Sequence, residues 1–154
     1  MTLKSKLLDR IRAELRAQFD RLTGAARDAH AAATDPGSKA ESKYDTRNLE
    51  ASYLAKGQAR QVEEVAEAVR IFDSLVLPDF GIDDPIDAGA LVEVVLNGGT
   101  AFFLLAPVGG GMTLDHFGAE LTVLTPESPM YQCLLGLRTG DSHDSPALTI
   151  TEVC

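Results

Sequence analysis

From Leu3 to about Ala33 the chain contains no proline and a single glycine, Gly24, while apolar side chains recur at intervals of three and four residues. Leu8, Ile11, Leu15, Gln18, Leu22, Ala25 and Ala29 fall on that spacing, and Leu7 and Phe19 widen the stripe. Such periodicity belongs to a helix that buries one face. Thr34-Asp35-Pro36-Gly37-Ser38 then stops it, because proline cannot continue the hydrogen-bond ladder and glycine tolerates a reversal. A second helix is expected from about Ala40 or Thr46 to Ser74, with its stripe on Ala51, Ala55, Val62, Val65, Val69 and Phe72. Two helices of about 30 residues, each about 45 Å long at 1.5 Å per residue, form an antiparallel hairpin with its tip around residues 34 to 46. Each stripe is too narrow to be buried alone, so the two are expected to pair as a coiled coil.

The pattern changes near residue 75. Leu77-Pro78-Asp79-Phe80-Gly81 and Asp83-Asp84-Pro85 read as a linker over residues 76–88. Apolar runs of strand length follow in residues 89–154, at Leu91 to Leu96, Ala101 to Leu105, Ala119 to Leu124 and Ala147 to Val153. Gly98-Gly99 marks a hairpin between the first two runs, and Gly109-Gly110-Gly111 permits another turn. Ser128 is placed to cap a short helix, Pro129 suits its first position, and Gly136 can end it. The expected fold class is α+β: a helical hairpin (residues 1–75), then a small antiparallel β domain with one short helix.

Composition narrows the functional classes. Lys and Arg number 14 against 23 Asp and Glu, a formal charge of -9, which opposes strong direct binding of DNA or RNA. An acidic protein can still act on a nucleic-acid enzyme by presenting carboxylates to its basic channel or its metal. The chain is 154 residues long and 45% apolar, enough for a core, but it contains no run long enough to span a bilayer and its start interleaves charges. A cytoplasmic monomer without membrane contact is therefore expected. Cys133 and Cys154 are too few for a disulfide framework and read as free thiols. His30, His116 and His143 have no metal-ligand spacing with each other or with the cysteines, so no intrinsic metal or cofactor is expected. Gly109-Gly110-Gly111 lacks the Lys and Ser/Thr that complete a phosphate loop.

The stretch from Leu121 through Ser128-Pro129 and Leu134-Leu135-Gly136 to Gly140-Asp141 resembles the C-terminal signature of the GreA/GreB family of bacterial transcription elongation factors. The family's order of parts, a coiled-coil hairpin followed by a domain of FKBP-like fold, agrees with the pattern just described. The resemblance implies a partner, RNA polymerase, whose secondary channel the hairpin enters while the globular domain docks at its rim. It also implies that acidic residues at the tip help to hold a Mg²⁺ belonging to the polymerase, which remains the enzyme; this chain is not expected to be one itself.

Residues Ser38 to Gln58 resemble the family's tip segment, and an ungapped match sets Asp45 on the tip aspartate. Asn48 then stands where the second acidic residue belongs, and an amide is a poorer, uncharged Mg²⁺ ligand. Glu41 and Asp45, four apart, share a face if the segment is helical, whereas Asp45 and Glu50 do not, so Glu41 is the better stand-in. Glu41, Lys43, Asp45, Arg47 and Glu50 also alternate in sign, as a solvated helix face does. Tyr44 is a candidate for packing at the tip or for touching the polymerase. Three readings stay open: a regulator that also stimulates transcript cleavage, a non-cleaving channel competitor that acts against Gre factors, and a peptidyl-prolyl isomerase or chaperone-like module.

Overall fold

The computed structural model describes residues 2–34 and 46–154, with only the backbone described for residues 26, 27, 29–34 and 46–56. Two units are distinct: Leu7–Ser74, and Met1–Lys6 together with Leu75–Cys154.

The first unit consists of helix α1 (Leu3–Thr34) from its second turn onward and helix α2 (Thr46–Ser74). Their directions are opposed. Arg12 Nε donates to the carbonyl oxygen of Phe72 at 2.7 Å, and Arg16 donates to both carboxylate oxygens of Asp73 at 2.9 and 3.0 Å. Further along, Gln18, Arg21 and Leu22 face Gln61, Glu64 and Val65 across a shallow groove. Helix α2 has no basic residue in its last turn, so Arg12 of α1 supplies a donor to carbonyls that its own helix leaves without partners. Leu7, Leu8, Ile11 and Leu15 of α1 are buried, as are Ala68 and Phe72 of α2. Ala68 takes a deeper position than Val69, which the apolar stripe had favoured, and Leu22, Val62 and Val65 are only half-buried.

The second unit is a six-stranded sheet with one short helix. Its elements are β1 (Leu91–Leu96), β2 (Gly99–Leu105), β3 (Thr113–His116), β4 (Ala119–Leu124), α3 (Pro129–Leu134), β5 (Ser142–Asp144) and β6 (Ala147–Val153). The strand order is β3-β4-β2-β1-β6-β5. The expectation of an antiparallel sheet needs one correction: β2 and β4 run parallel, with Phe102 opposite Leu121. The chain leaves β2, returns as β3 and reverses again into β4, so β4 lies beside β2 in the same direction. The strands β3 and β5 were not expected from the sequence. Both are short, largely polar and at the two edges of the sheet, where polar side chains discourage further strand pairing.

The first hairpin also differs in register from the Gly98-Gly99 expectation. Leu96 pairs with Gly99, which leaves Asn97 (φ 53) and Gly98 (φ 78) as a two-residue turn. Asn-Gly suits a turn with two positive φ angles, because asparagine accepts the left-handed region better than most residues.

The core on the α3 side gathers Ile86, Val92, Val94, Phe103, Leu105 and Ile150 with Tyr131 and Leu134 of the helix. Leu91, Leu104, Leu121 and Val123 point to the other face and are buried as well.

One charged group is buried with this unit. Lys4, 6% exposed, directs Nζ at the carbonyl oxygens of Pro78 (2.5 Å), Gly89 (2.8 Å) and Cys154 (2.8 Å), and the ammonium lies 5.1 Å from the centre of the Phe80 ring. An ammonium has three protons, and each finds an acceptor. Burial lowers the Lys4 pKa, and the negative charge that Cys154 acquires on ionisation and the Asp79 carboxylate push it back up.

Replacing Lys4 with methionine removes three charge-assisted bonds, one to a buried carbonyl and two to partly buried ones, and we expect Lys4→Met to lower stability by about 2–4 kcal/mol in urea unfolding followed by circular dichroism. The pH dependence supplies a second readout. Because the folded pKa lies below the ordinary 10.5, the unfolded chain binds this proton more tightly, and Lys4 makes stability rise with pH between the two values. The difference between wild type and Lys4→Met should carry that slope; a pH-independent difference would contradict it.

Candidate functional site

Of the hairpin-tip candidates, Glu41, Tyr44 and Asp45 lie outside the described residues. Asn48 and Glu50 belong to the first turns of α2, with their backbone alone described. Two positions apart on a helix, they are separated by roughly 200° around its axis. Asn48 and Glu50 therefore do not share a face.

The segment that carries the family resemblance is described throughout. Ser128 occupies the position before α3 with extended backbone (φ -72, ψ 132), but its side chain makes no capping hydrogen bond, contrary to the expectation for it. Its backbone serves instead: the Ser128 carbonyl accepts the Gln132 N–H at 3.2 Å, and Pro129 has no N–H to satisfy. Tyr131 and Leu134 face the core. Leu135 ends the helix, its N–H donating to the Tyr131 carbonyl at 3.1 Å, and Gly136 (φ 82) turns the chain away. The Gly136 N–H donates to Ile86 O at 2.9 Å, and the Ile86 N–H donates to Leu137 O at 2.7 Å. Arg138 Nε donates to Asp83 O at 3.0 Å. Gly140 (φ 92) and Asp141 finish the segment: Asp141 Oδ2 accepts the Arg138 N–H at 2.8 Å, while the Gly140 N–H and the Asp141 carbonyl both bond to Ile150.

The hydrogen bonds of these residues run chiefly between backbone groups. Their arrangement fixes a surface. Leu135 and Ile82, each next to a residue in the hydrogen bonds just described, are exposed large apolar side chains.

Sequence reasoning missed a second feature on the opposite face of the sheet, a cleft of about 210 Å³. Leu3, Leu91, Phe102 and Phe117 supply its apolar lining, and Glu93 and Glu152 its carboxylates. The two glutamates are direct cross-strand partners on β1 and β6. The buried ring of His116 also lines the cleft, packing edge-on against Phe102 and Phe117 with both centroid distances 4.6 Å. Phe117 and Gly118 form the turn between β3 and β4, with φ angles of 51° and 80° that match the Asn97-Gly98 turn. A phenylalanine thus stands where asparagine stands in the other hairpin, and it is 77% exposed. The sequence offered little signal for this turn, because Thr113–His116, which precedes Phe117-Gly118, is not an apolar run as Leu91–Leu96 is before Asn97-Gly98.

Both thiols are free. Burial pushes the Cys133 thiol up. Burial also raises Cys154; the Lys4 ammonium opposes the rise, and the carboxylates of Glu152, Asp79 and Glu93 add to it. Raised thiol pKa values favour the protonated, unreactive form. Among the described residues no three His, Cys, Asp or Glu side chains are grouped to hold a metal ion, and no helix is long and apolar enough to cross a membrane.

Holding an L side chain at φ 51 costs about 1–2 kcal/mol, less for asparagine, while the edge contact of the exposed Phe117 ring with His116 is worth about 0.5 kcal/mol. We expect Phe117→Asn to raise stability by about 0.5 kcal/mol, read as a higher urea midpoint at unchanged slope. A lower midpoint would mean that the ring contact outweighs the strained backbone.

No protein-family model matches the sequence, and no curated protein is similar to it. Among solved structures the chain is similar to GreA factor homolog 1 (Gfh1) of Thermus thermophilus, with 18% identity over 93% of this chain and 94% of that one and a TM-score of 0.37. It is similar to Gfh1 of Thermus aquaticus at 17% identity, over 92% of each chain, also with a TM-score of 0.37. A third structure, of the transcription factor Gfh1, shares 22% identity over 92% of each chain, again with a TM-score of 0.37.

Proposed function

We propose that this chain binds RNA polymerase and regulates transcription elongation through the polymerase secondary channel, the β domain docking at the rim and the helical hairpin reaching inward. The observation that carries this reading is the segment from Ser128 to Asp141. Its resemblance to the Gre signature rests on residues with distinct local roles. Pro129 opens α3, Leu134 anchors it, Gly136 and Gly140 take left-handed conformations, and Asp141 closes the turn. Those roles are held together over a stretch too long for any one turn type to dictate. The antiparallel helical pair gives the same chain a probe of suitable length, since a helix of 29 residues spans about 43 Å at 1.5 Å per residue.

The second reading, a channel competitor that does not stimulate cleavage, is favoured by Asn48. Two-metal hydrolysis of a backtracked transcript needs hard, charged oxygen ligands on the polymerase Mg²⁺. With Asn48 in the second acidic position, Asp45 acts with Glu41 or the tip supplies a single carboxylate. In either case the polymerase is the catalyst, and this chain contributes at most a ligand.

Purified protein added to a halted, backtracked elongation complex tests both readings, with polymerase binding and transcript length followed together. Binding is expected for wild type, Asp45→Asn and Glu41→Gln alike, because the tip is remote in sequence from the Ser128 to Asp141 segment. Transcript shortening by wild type that is lost in Asp45→Asn would establish the cleavage cofactor; binding without shortening would establish the competitor. Absence of binding at every salt concentration would overturn the proposal.

A further inference from the structure

We propose that the cleft between Glu93, Glu152, Phe102 and Phe117 is a docking site for an arginine side chain of a basic polypeptide partner. Size argues for one side chain: about 210 Å³ is below the roughly 300–1,000 Å³ of sites that enclose small molecules and cofactors.

Charge argues for a cation. Glu93 and Glu152 stand directly opposite each other on adjacent antiparallel strands and line the same cleft. Like charges in that arrangement destabilise a sheet. Among the described residues neither carboxylate forms an ion pair; Glu93 accepts a hydrogen bond from the Thr151 hydroxyl at 3.0 Å. The nearby ammonium of Lys4 is directed at three backbone carbonyls. An incoming cation would relieve the repulsion between the two glutamates.

The rest of the lining selects among cations. Phe102 and Phe117 give the cleft aromatic surface, and Leu3 and Leu91 give it aliphatic surface. A guanidinium stacks on aromatic rings, bonds carboxylates in a two-pronged manner, and carries an apolar stem. A lysine ammonium lacks the planar fork, and a small inorganic cation would leave the apolar lining wet. The surroundings point to a polypeptide. Leu3 and Phe117 are exposed beside the cleft, and Val95, on the same face of β1 as Glu93, is exposed too. Aromatic and apolar surface around a charged pocket is the usual composition of a protein interface centre. The formal charge of -9 favours a basic partner over an acidic one.

Phe117 links the site to its strain. The turn between β3 and β4 holds a bulky ring in a conformation better suited to asparagine, and the ring remains mostly in water. A strained, exposed aromatic beside a cleft has a direct use as a contact residue.

The test uses the full chain, labelled with ¹⁵N and titrated with a capped Ala-Leu-Arg-Leu-Ala peptide. Its counterpart with citrulline, which keeps the shape and loses the charge, is titrated in parallel. Saturable shifts confined to the amides around Glu93, Phe102, Phe117 and Glu152 are expected, with affinity at least about tenfold lower for the citrulline peptide. The double variant Glu93→Gln/Glu152→Gln should weaken binding by a similar factor. Phe117→Asn, which is expected to fold at least as well as wild type, should also weaken it, while Glu63→Gln on α2 should leave it unchanged. Equal binding of the two peptides, shifts scattered over the acidic surface, or indifference to Phe117→Asn would overturn the proposal. No polymerase takes part, so failure here leaves the preceding proposal standing.

Discussion

The Lys4 ammonium joins three stretches of chain that are 74, 85 and 150 residues away from it. Its acceptors are the carbonyl of Pro78 in the segment leading to the sheet, that of Gly89 just before β1, and that of Cys154 just beyond β6. The geometry at Cys154 is shared. Its carbonyl also accepts the Leu91 N–H, and its own N–H donates back to Leu91. Lys4 therefore stands where β1 and β6 meet. Burying a cation is costly unless its protons are all satisfied. Here the three carbonyls and the Phe80 ring meet that condition, and the lowered pKa records the cost that remains.

Gly89 makes this convergence possible. It has φ 87, and a Cβ added there would come within 2.5 Å of the Pro78 ring. A proline ring cannot swing aside as a long side chain can. Both the conformation and the close approach thus require glycine, and two of the three Lys4 acceptors, Pro78 and Gly89, are those brought together by it. Its N–H in turn donates to Leu105 O at the end of β2, tying the approach to the sheet. Loss of either residue would loosen the same junction.

The sequence was legible where structure is local. Helical periodicity placed both long helices, the apolar runs placed four strands, and Ser128 to Asp141 read as cap position, helix and turn because proline and glycine act on their own backbone. The missing parts are those set by distant neighbours. Thr113–His116 and Ser142–Asp144 have no apolar run to mark them and become strands through their partners β4 and β6. The parallel pairing of β2 with β4 depends on β3 and was hidden with it. Lys4 was invisible for another reason: its partners are main-chain carbonyls, and acceptors of that kind leave no trace in residue identity. The pairing of Glu93 with Glu152 depends on a register that shifts between Glu93 and Val94, which alternation alone does not reveal.

Two of the three hairpin turns of the sheet unit offer a comparison internal to the molecule. Asn97-Gly98 and Phe117-Gly118 have nearly the same φ angles, so both places call for residues that accept positive φ. At the first, the residue suits the turn. At the second, a residue ill suited to it is retained, and its ring is left exposed beside a cleft that holds two facing carboxylates. Folding alone favours asparagine at 117 and neutral side chains at 93 or 152. Departures from local preference that fall in one place, with no packing gain of comparable size, mark surface shaped by binding. The signature segment lies on the α3 side of the sheet and follows local preference at most of its positions; the cleft lies on the other side and does not. On that ground the two faces of the domain differ in how far they depart from local preference, and the contact proposed for the cleft falls to the face that carries Phe117.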